Sequence, residues 1–230
     1  MSAEIRKKAK MRIGIISATG PAGRAVALRL ASSGIEVQLG SRSLEKAQQT
    51  TDELRQLWPK RNLFLEPATN NQATQNEIVI CAAPAEAALV VLGQLKSDLD
   101  GKVLVSMVNA MTMVGRELHA WIPTRGSMAA EMQSLLPGSM VSIAFQHLPA
   151  AKVADIDTKL VADVLVCSDH KIAGEKTADL IRQVEGLRPL YCGGLANAGP
   201  IEQMTAVLVN LNIINKAHVT LNIGGLPTTA

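Results

Sequence analysis

The sequence predicts an α/β fold built on a parallel sheet, and two observations carry that expectation. Short apolar runs alternate with stretches of helical spacing, the signature of βαβ units whose strands run the same way. The first of these units also places a glycine-bearing turn, "ATGPAG" at 18–23, between its strand and its helix, which is the setting of a dinucleotide-binding loop. The chain has 230 residues, enough for one large domain or one domain with a small second part. With 47% hydrophobic and 19% charged residues it is a folded chain with a sizeable core rather than a disordered one.

The elements follow in order. "RIGIIS" (12–17) is a short apolar strand. "GRAVALRLASSG" (23–34) has helical spacing, with Val26 and Leu30 on one face and Gly34 as a stop. "EVQLG" (36–40) is a second strand. A helix over 43–58 opens at Ser43, carries its charges outward and closes at Pro59. "LFLE" (63–66), "EIVICAA" (77–83) and "KVLVSMV" (102–108) are strands three to five. The pattern loosens after about residue 109. "MVSIAFQ" (140–146), "DVLVCSD" (163–169) and "RPLYC" (188–192) read as further strands, with a helix at 172–185 before the last. The segment 200–223 has the length and the 3–4 spacing (Ile201, Met204, Val207, Leu208, Leu211) of a buried helix. There is no internal repeat and no low-complexity segment.

Composition narrows the function. Aromatics are only 2%, leaving few platforms for stacking bases, and a net charge of +3 is too small to imply a nucleic-acid or membrane surface. The start, "MSAEIRKKAK", mimics a basic leader, but the apolar run behind it is short, meets Gly20 and Pro21 at once, and reads as a strand. No stretch is long and apolar enough to span a bilayer. Cys81, Cys167 and Cys192 have neither metal nor redox spacing; they read as small buried apolar residues of a protein in the reducing cytoplasm. No His, Asp, Glu or Cys cluster has metal spacing.

The loop and the end of the second strand indicate the ligand. Gly20 lets the backbone approach a pyrophosphate and Gly23 lets the helix sit close on the strand, while Pro21 suits the first helical turn. With Thr19 and Ala22, the N–H groups and the helix dipole then hold phosphate. Ala18 stands where the fingerprint has its first glycine. If that position needs a positive φ, alanine costs about 1–2 kcal/mol; if it needs only a small residue, alanine fits. The second strand ends in "LGSR" (39–42), without the acid that binds an NAD ribose. Ser41 and Arg42, with Lys46 one turn into the helix, suit a 2′-phosphate instead, so the expected cofactor is NADP(H).

Beyond the later strands, Ala83–Pro84 could wall one side of the dinucleotide, and "SMVNAM" (106–111) and "FQHLPAAK" (145–152) follow strands five and six. His147 is placed either as an acid–base group or as a polar wall. His119, His170 and His218 read as surface or helix-edge residues, and Asp169–His170 as a helix cap. Tyr191 is the only tyrosine and no lysine follows it at catalytic spacing. Such scarcity of acid–base groups suits hydride transfer between two organic carriers, where the protein stacks rings and excludes water.

At these residues the sequence resembles the NADPH-dependent coenzyme F420 reductases (F420:NADP oxidoreductases). The resemblance runs nearly the whole length, and "HLPAAKVADID" and "GLRPLYCGGLANA" are its more specific stretches. It implies a Rossmann-type parallel sheet extended by additional strands, with a small C-terminal helical part: an NADP-binding domain over 1–150, and an extension over 151–230 that completes the sheet and covers the deazaflavin site. It implies a homodimer without nucleic-acid or membrane partners, and hydride exchange between NADPH and F420. Thr19 and Leu148 match the family's residues at the meeting rings. Gln146, His147 and Leu148, with Gly194, Leu195, Ala196 and Asn197, would line the deazaflavin pocket, Gln146 and His147 as polar neighbours of the ring. The chain departs from the family at Ala18, where glycine is usual, and at Gln146, where histidine is expected. A flavin or metal reductase of the same fold and a non-catalytic NADP-binding protein are the competing readings.

Overall fold

The computed structural model describes residues 11–226; the basic "MSAEIRKKAK" lies outside them, as do the outer ends of the two expected domains. Eight strands form one sheet. β1 (Arg12–Ile16), β2 (Glu36–Ser41), β3 (Leu65–Thr69), β4 (Ile78–Cys81), β5 (Val103–Ser106) and β8 (Met140–Ile143) are all parallel, in the order β3-β2-β1-β4-β5-β8. This is the doubly wound order, and its direction reverses between β1 and β4. β9 (Ala162–Ser168) then pairs antiparallel with β8, and β10 (Leu187–Tyr191) parallel with β9.

Helices cover both faces, which is why the central strands are apolar without alternation. One core lies under α1 (Pro21–Ser32), α2 (Leu44–Leu57), the short α6 (Ala150–Ala154) and α7 (Lys171–Arg182), and takes Ile13, Ile15, Val103, Val105 and Val164 from the sheet. The other lies under α4 (Ala85–Gln94), α5 (Met128–Leu135) and α8 (Ala198–Asn215), and takes Ile16, Val79, Leu104 and Leu165. Gly14 faces the one-turn α3 (Asn70–Ala73) so closely that a Cβ would stand 1.9 Å from the Ala73 carbonyl oxygen.

Several boundaries differ from the sequence reading. The third strand is shifted to Leu65–Thr69 and carries Pro67, which an edge strand tolerates. The strand read over 140–146 stops at Ile143, because Phe145 turns to φ +67°. The final helix ends at Asn215, where Lys216 turns left-handed and the Asn212 side chain takes the Val219 N–H. Nor is that helix buried throughout: Ile201 and Thr205 are inside, but Val207 and Leu211 are exposed. The segment beyond it returns to β9, where the Asp163 N–H donates to the Leu221 carbonyl. In the loosely patterned stretch after 109 lie α5, α6 and a hairpin of β6 (Met111–Val114) and β7 (Glu117–Ala120).

Candidate functional site

The glycine loop resolves the question raised by Ala18. The positive φ falls one residue earlier, on Ser17 at +57°. Asn70 fixes that turn, its Oδ1 accepting from the Ser17 N–H at 3.0 Å. Ala18 itself is wholly buried, and its N–H donates to the Gly40 carbonyl at 2.8 Å. Its side chain therefore faces the core, not the ligand, and a small residue suffices there without strain. Gly23 is the indispensable one: a Cβ on it would stand 2.8 Å from the Ala18 Cα. Sequence reasoning missed Asn70, although Thr69 and Gln72 around it form a capping box, a local signal of a helix start.

Gly20 is the N-cap of α1. No side chain caps this helix, no acid stands in its first turn, and a Cβ on Gly20 would meet nothing within 4 Å. The result is an open, electropositive helix N-terminus. Across from it, Ser41 is buried and its Oγ takes the Ser43 N–H, while Ser43 caps α2 through the Lys46 N–H. Arg42 and Lys46 are exposed, and neither side chain has a partner among the described residues. A cleft of about 830 Å³ joins these parts. Thr19, Gly20, Pro21 and Ala22 form one side of it, Ser41, Arg42 and Lys46 the second, and Ala83 and Pro84 the third. Met107, Val108 and Asn109 form its floor beyond β5. Ala18 and Gly23 lie beneath the loop.

The segment after β8 sits beside that floor. Gln146 and His147 are buried, and Leu148 is half-buried against the core. The Asn109 Nδ2 donates to the Gln146 carbonyl at 2.9 Å. The His147 Nε2 accepts from the Leu165 N–H at 3.2 Å, so the ring proton is on Nδ1. Burial pushes the His147 pKa down to about 4, which leaves the ring neutral at pH 7. The Gln146 amide has no partner on either of its polar atoms, and the Asn109 Oδ1 and His147 Nδ1 have none either. Buried groups left so cost about 1–3 kcal/mol each, and such a cluster invites a polar ligand.

Gly194–Asn197 lies elsewhere. The Ser168 N–H donates to the Gly193 carbonyl and the Leu195 N–H to the Asp169 carboxylate, fastening this segment to the end of β9. Leu195 and Ala196 border a second cavity of about 610 Å³, shared with Ser127, Gln133 and Asp169, and no residue lines both this cavity and the cleft. Asp169 and His170 form no relay. His170 is the N-cap of α7 and its ring meets Gln133, while His119 and His218 are exposed. Cys81 and Cys167 are buried and Cys192 half-buried, all free thiols. Among the described residues no group of His, Cys, Asp and Glu is placed to hold a metal, and no helix is long and apolar enough to cross a membrane.

A crevice at the reversal point of a doubly wound sheet, with an open helix N-terminus and an unpaired cation at the second strand's end, defines a dinucleotide-binding α/β protein. Residues 12–110 match the family model described as "NADP oxidoreductase coenzyme F420-dependent". The F420-dependent NADP reductase of Methanothermobacter marburgensis is 34% identical over 223 residues, covering 94% of this chain and 100% of that one. That of Methanocaldococcus jannaschii is 33% identical over 215 residues, covering 91% and 96%. A solved structure from Arthrobacter sp. FB24, provisionally described as an F420-dependent NADP reductase, has the same fold: TM-score 0.79, over 93% of this chain and 99% of that one, at 21% identity. The chain belongs to the F420-dependent NADP reductase family.

Proposed function

We propose that this protein passes a hydride between NADP(H) and the deazaflavin coenzyme F420. The observation that carries the reading is the extent of the family match: it includes the strands and helix beyond residue 150 as well as the nucleotide-binding half. In this reading the N-terminus of α1 holds the pyrophosphate, and Arg42 and Lys46 take the 2′-phosphate. Thr19 and Leu148 set the spacing of the two rings. The nicotinamide and the deazaflavin supply the redox chemistry, one yielding a hydride and the other accepting it; no side chain need move a proton at the transferred atom. The unpartnered Gln146 amide and Asn109 Oδ1 fit the second substrate, because a deazaflavin's pyrimidinedione edge offers both N–H and C=O groups.

Residues 151–230 act as the extension that completes the sheet and covers the deazaflavin site. The protein works as a homodimer in the cytoplasm. An apolar stripe left uncovered on α8 supports the dimer, and three free thiols suit a reducing compartment.

Mixing the purified protein with NADPH and, in turn, F420, FMN and FAD tests the reading through loss of NADPH absorbance. Turnover with F420 alone is expected. Turnover with flavins alone would make it a flavin reductase, and tight NADPH binding without turnover would leave a nucleotide-binding protein.

A further inference from the structure

Arg29 is a buried cation far from the dinucleotide cleft. It lies in the last turn of α1 and is only 7% exposed. Its Nε donates to the Val153 carbonyl at 2.9 Å, its Nη2 to the carbonyls of Lys152, at 2.9 Å, and Asp155, and its Nη1 to that of Thr158 at 3.2 Å. Lys152 and Val153 belong to the last turn of α6, whose carbonyls a helix C-terminus leaves unpaired, while Asp155, which also accepts from the Thr158 N–H, and Thr158 lie in the turn after it. One planar guanidinium reaches all four carbonyls, which an ammonium could not match in reach or geometry.

The two helices so joined both begin at the candidate site. Thr19 immediately precedes Gly20, the N-cap of α1. Leu148 immediately precedes Pro149, the N-cap of α6, and its N–H donates to the Phe145 carbonyl. Gly23 seats α1 firmly on the backbone at Ala18. α6 has only five residues and cannot hold its own direction. Arg29 acts on its far end, roughly 15 Å along α1 from the loop.

We propose that Arg29 is a positioning residue for hydride transfer: by bolting the end of α6 to α1, it fixes Leu148 relative to Thr19 and so sets the gap between the two rings. This rests on the reading of Thr19 and Leu148 given under the proposed function. Arg29 does not line the cleft, so its effect falls on the transfer step and not on nucleotide affinity.

The test uses the full chain with Arg29→Met and Arg29→Lys, at a temperature well below each variant's unfolding midpoint. Arg29→Met should slow single-turnover hydride transfer from NADPH to F420 at least tenfold, change the dissociation constant for NADPH less than twofold, and steepen the temperature dependence of the deuterium isotope effect. Arg29→Lys, which reaches fewer carbonyls, should fall between. A transfer rate and isotope effect equal to wild type would overturn the proposal, whatever the loss of thermal stability. If Arg29→Met does not fold, Arg29→Lys decides by the same readouts. If the wild-type protein fails to reduce F420, the functional reading falls separately, and hydrogen exchange tests the bolt. Arg29→Lys must then speed exchange at Leu148 and Val153 while leaving β1 unaltered; equal exchange at all of them overturns it.

Discussion

Arg42 and Gln146 make opposite demands on the chain. Arg42 is exposed and unpaired, so the fold gains nothing from it. Arg42→Ala should leave stability unchanged, raise the KM for NADPH roughly tenfold or more, since a charge-assisted contact is lost, and leave that for NADH nearly unaltered; steady-state kinetics with both nucleotides checks this. Equal losses would remove Arg42 from the 2′-phosphate site. Gln146 is buried with an unsatisfied amide. Gln146→Met should keep or raise the unliganded unfolding midpoint while weakening F420 binding about tenfold, because the cost of the unpaired amide vanishes together with its ligand contact. A lower midpoint with unchanged binding would make its role structural. The position of Arg42 across from the glycine loop was legible because loop and strand end are local patterns. The pairing of Asn109 with Gln146, and of Asn70 with Ser17, was not, because each joins residues 37 or 53 positions apart.

At the scale of elements, the docking of α8 on α5 turns on one carboxylate. Glu202 is buried, and its two oxygens accept from the Met128 and Ala129 N–H groups at 2.8 and 3.1 Å, beside the Ser127 cap on Ala130. Those bonds favour the anion, but burial outweighs them and pushes the pKa from 4.5 up to about 7. The folded state therefore holds a proton that the unfolded chain releases. This contribution to stability is complete below pH 4.5 and lost as pH rises to about 7. Denaturant titrations should show wild type losing stability across that window relative to Glu202→Gln; parallel curves would refute it. The variant should also be less stable at low pH, since its NH2 cannot accept the second N–H. The hairpin of β6 and β7 was readable in principle: Gly115, at φ +63°, followed by Arg116, sits between two four-residue strands. Its alternation is weak, because β6 is mostly exposed on both faces.

Over the whole molecule, the parallel sheet was legible and the reversal at β9 was not. "ADVLVCS" is buried at all seven positions, so the run reads the same in either direction, and only the short return through α6 decides how it pairs. The apolar spacing of the last helix was real, but burial alone does not account for it. Val207, Leu211 and Ile214, at i, i+4 and i+7, form an outer stripe 58%, 41% and 71% exposed, opposite the buried Ile201, Thr205 and Ala206. The hairpin adjoins the helix, since Asn210 both donates to and accepts from the Leu118 backbone, and it adds Met113 and Val114, also exposed. A helix apolar on both sides is one that expects to be covered on both, and a second copy of the chain is the cover that the proposed homodimer supplies. Sedimentation of the wild-type protein should give a dimer, and Ile214→Asp with Val207→Asp should shift it to a folded monomer with an unchanged circular dichroism spectrum. NADPH binding should survive in that monomer, because the glycine loop, Arg42 and Lys46 belong to the β1–α1 and β2–α2 segments and none of them lies on α8 or the hairpin. A wild-type monomer at micromolar concentration, or a double variant that remains dimeric, would exclude this face as the interface.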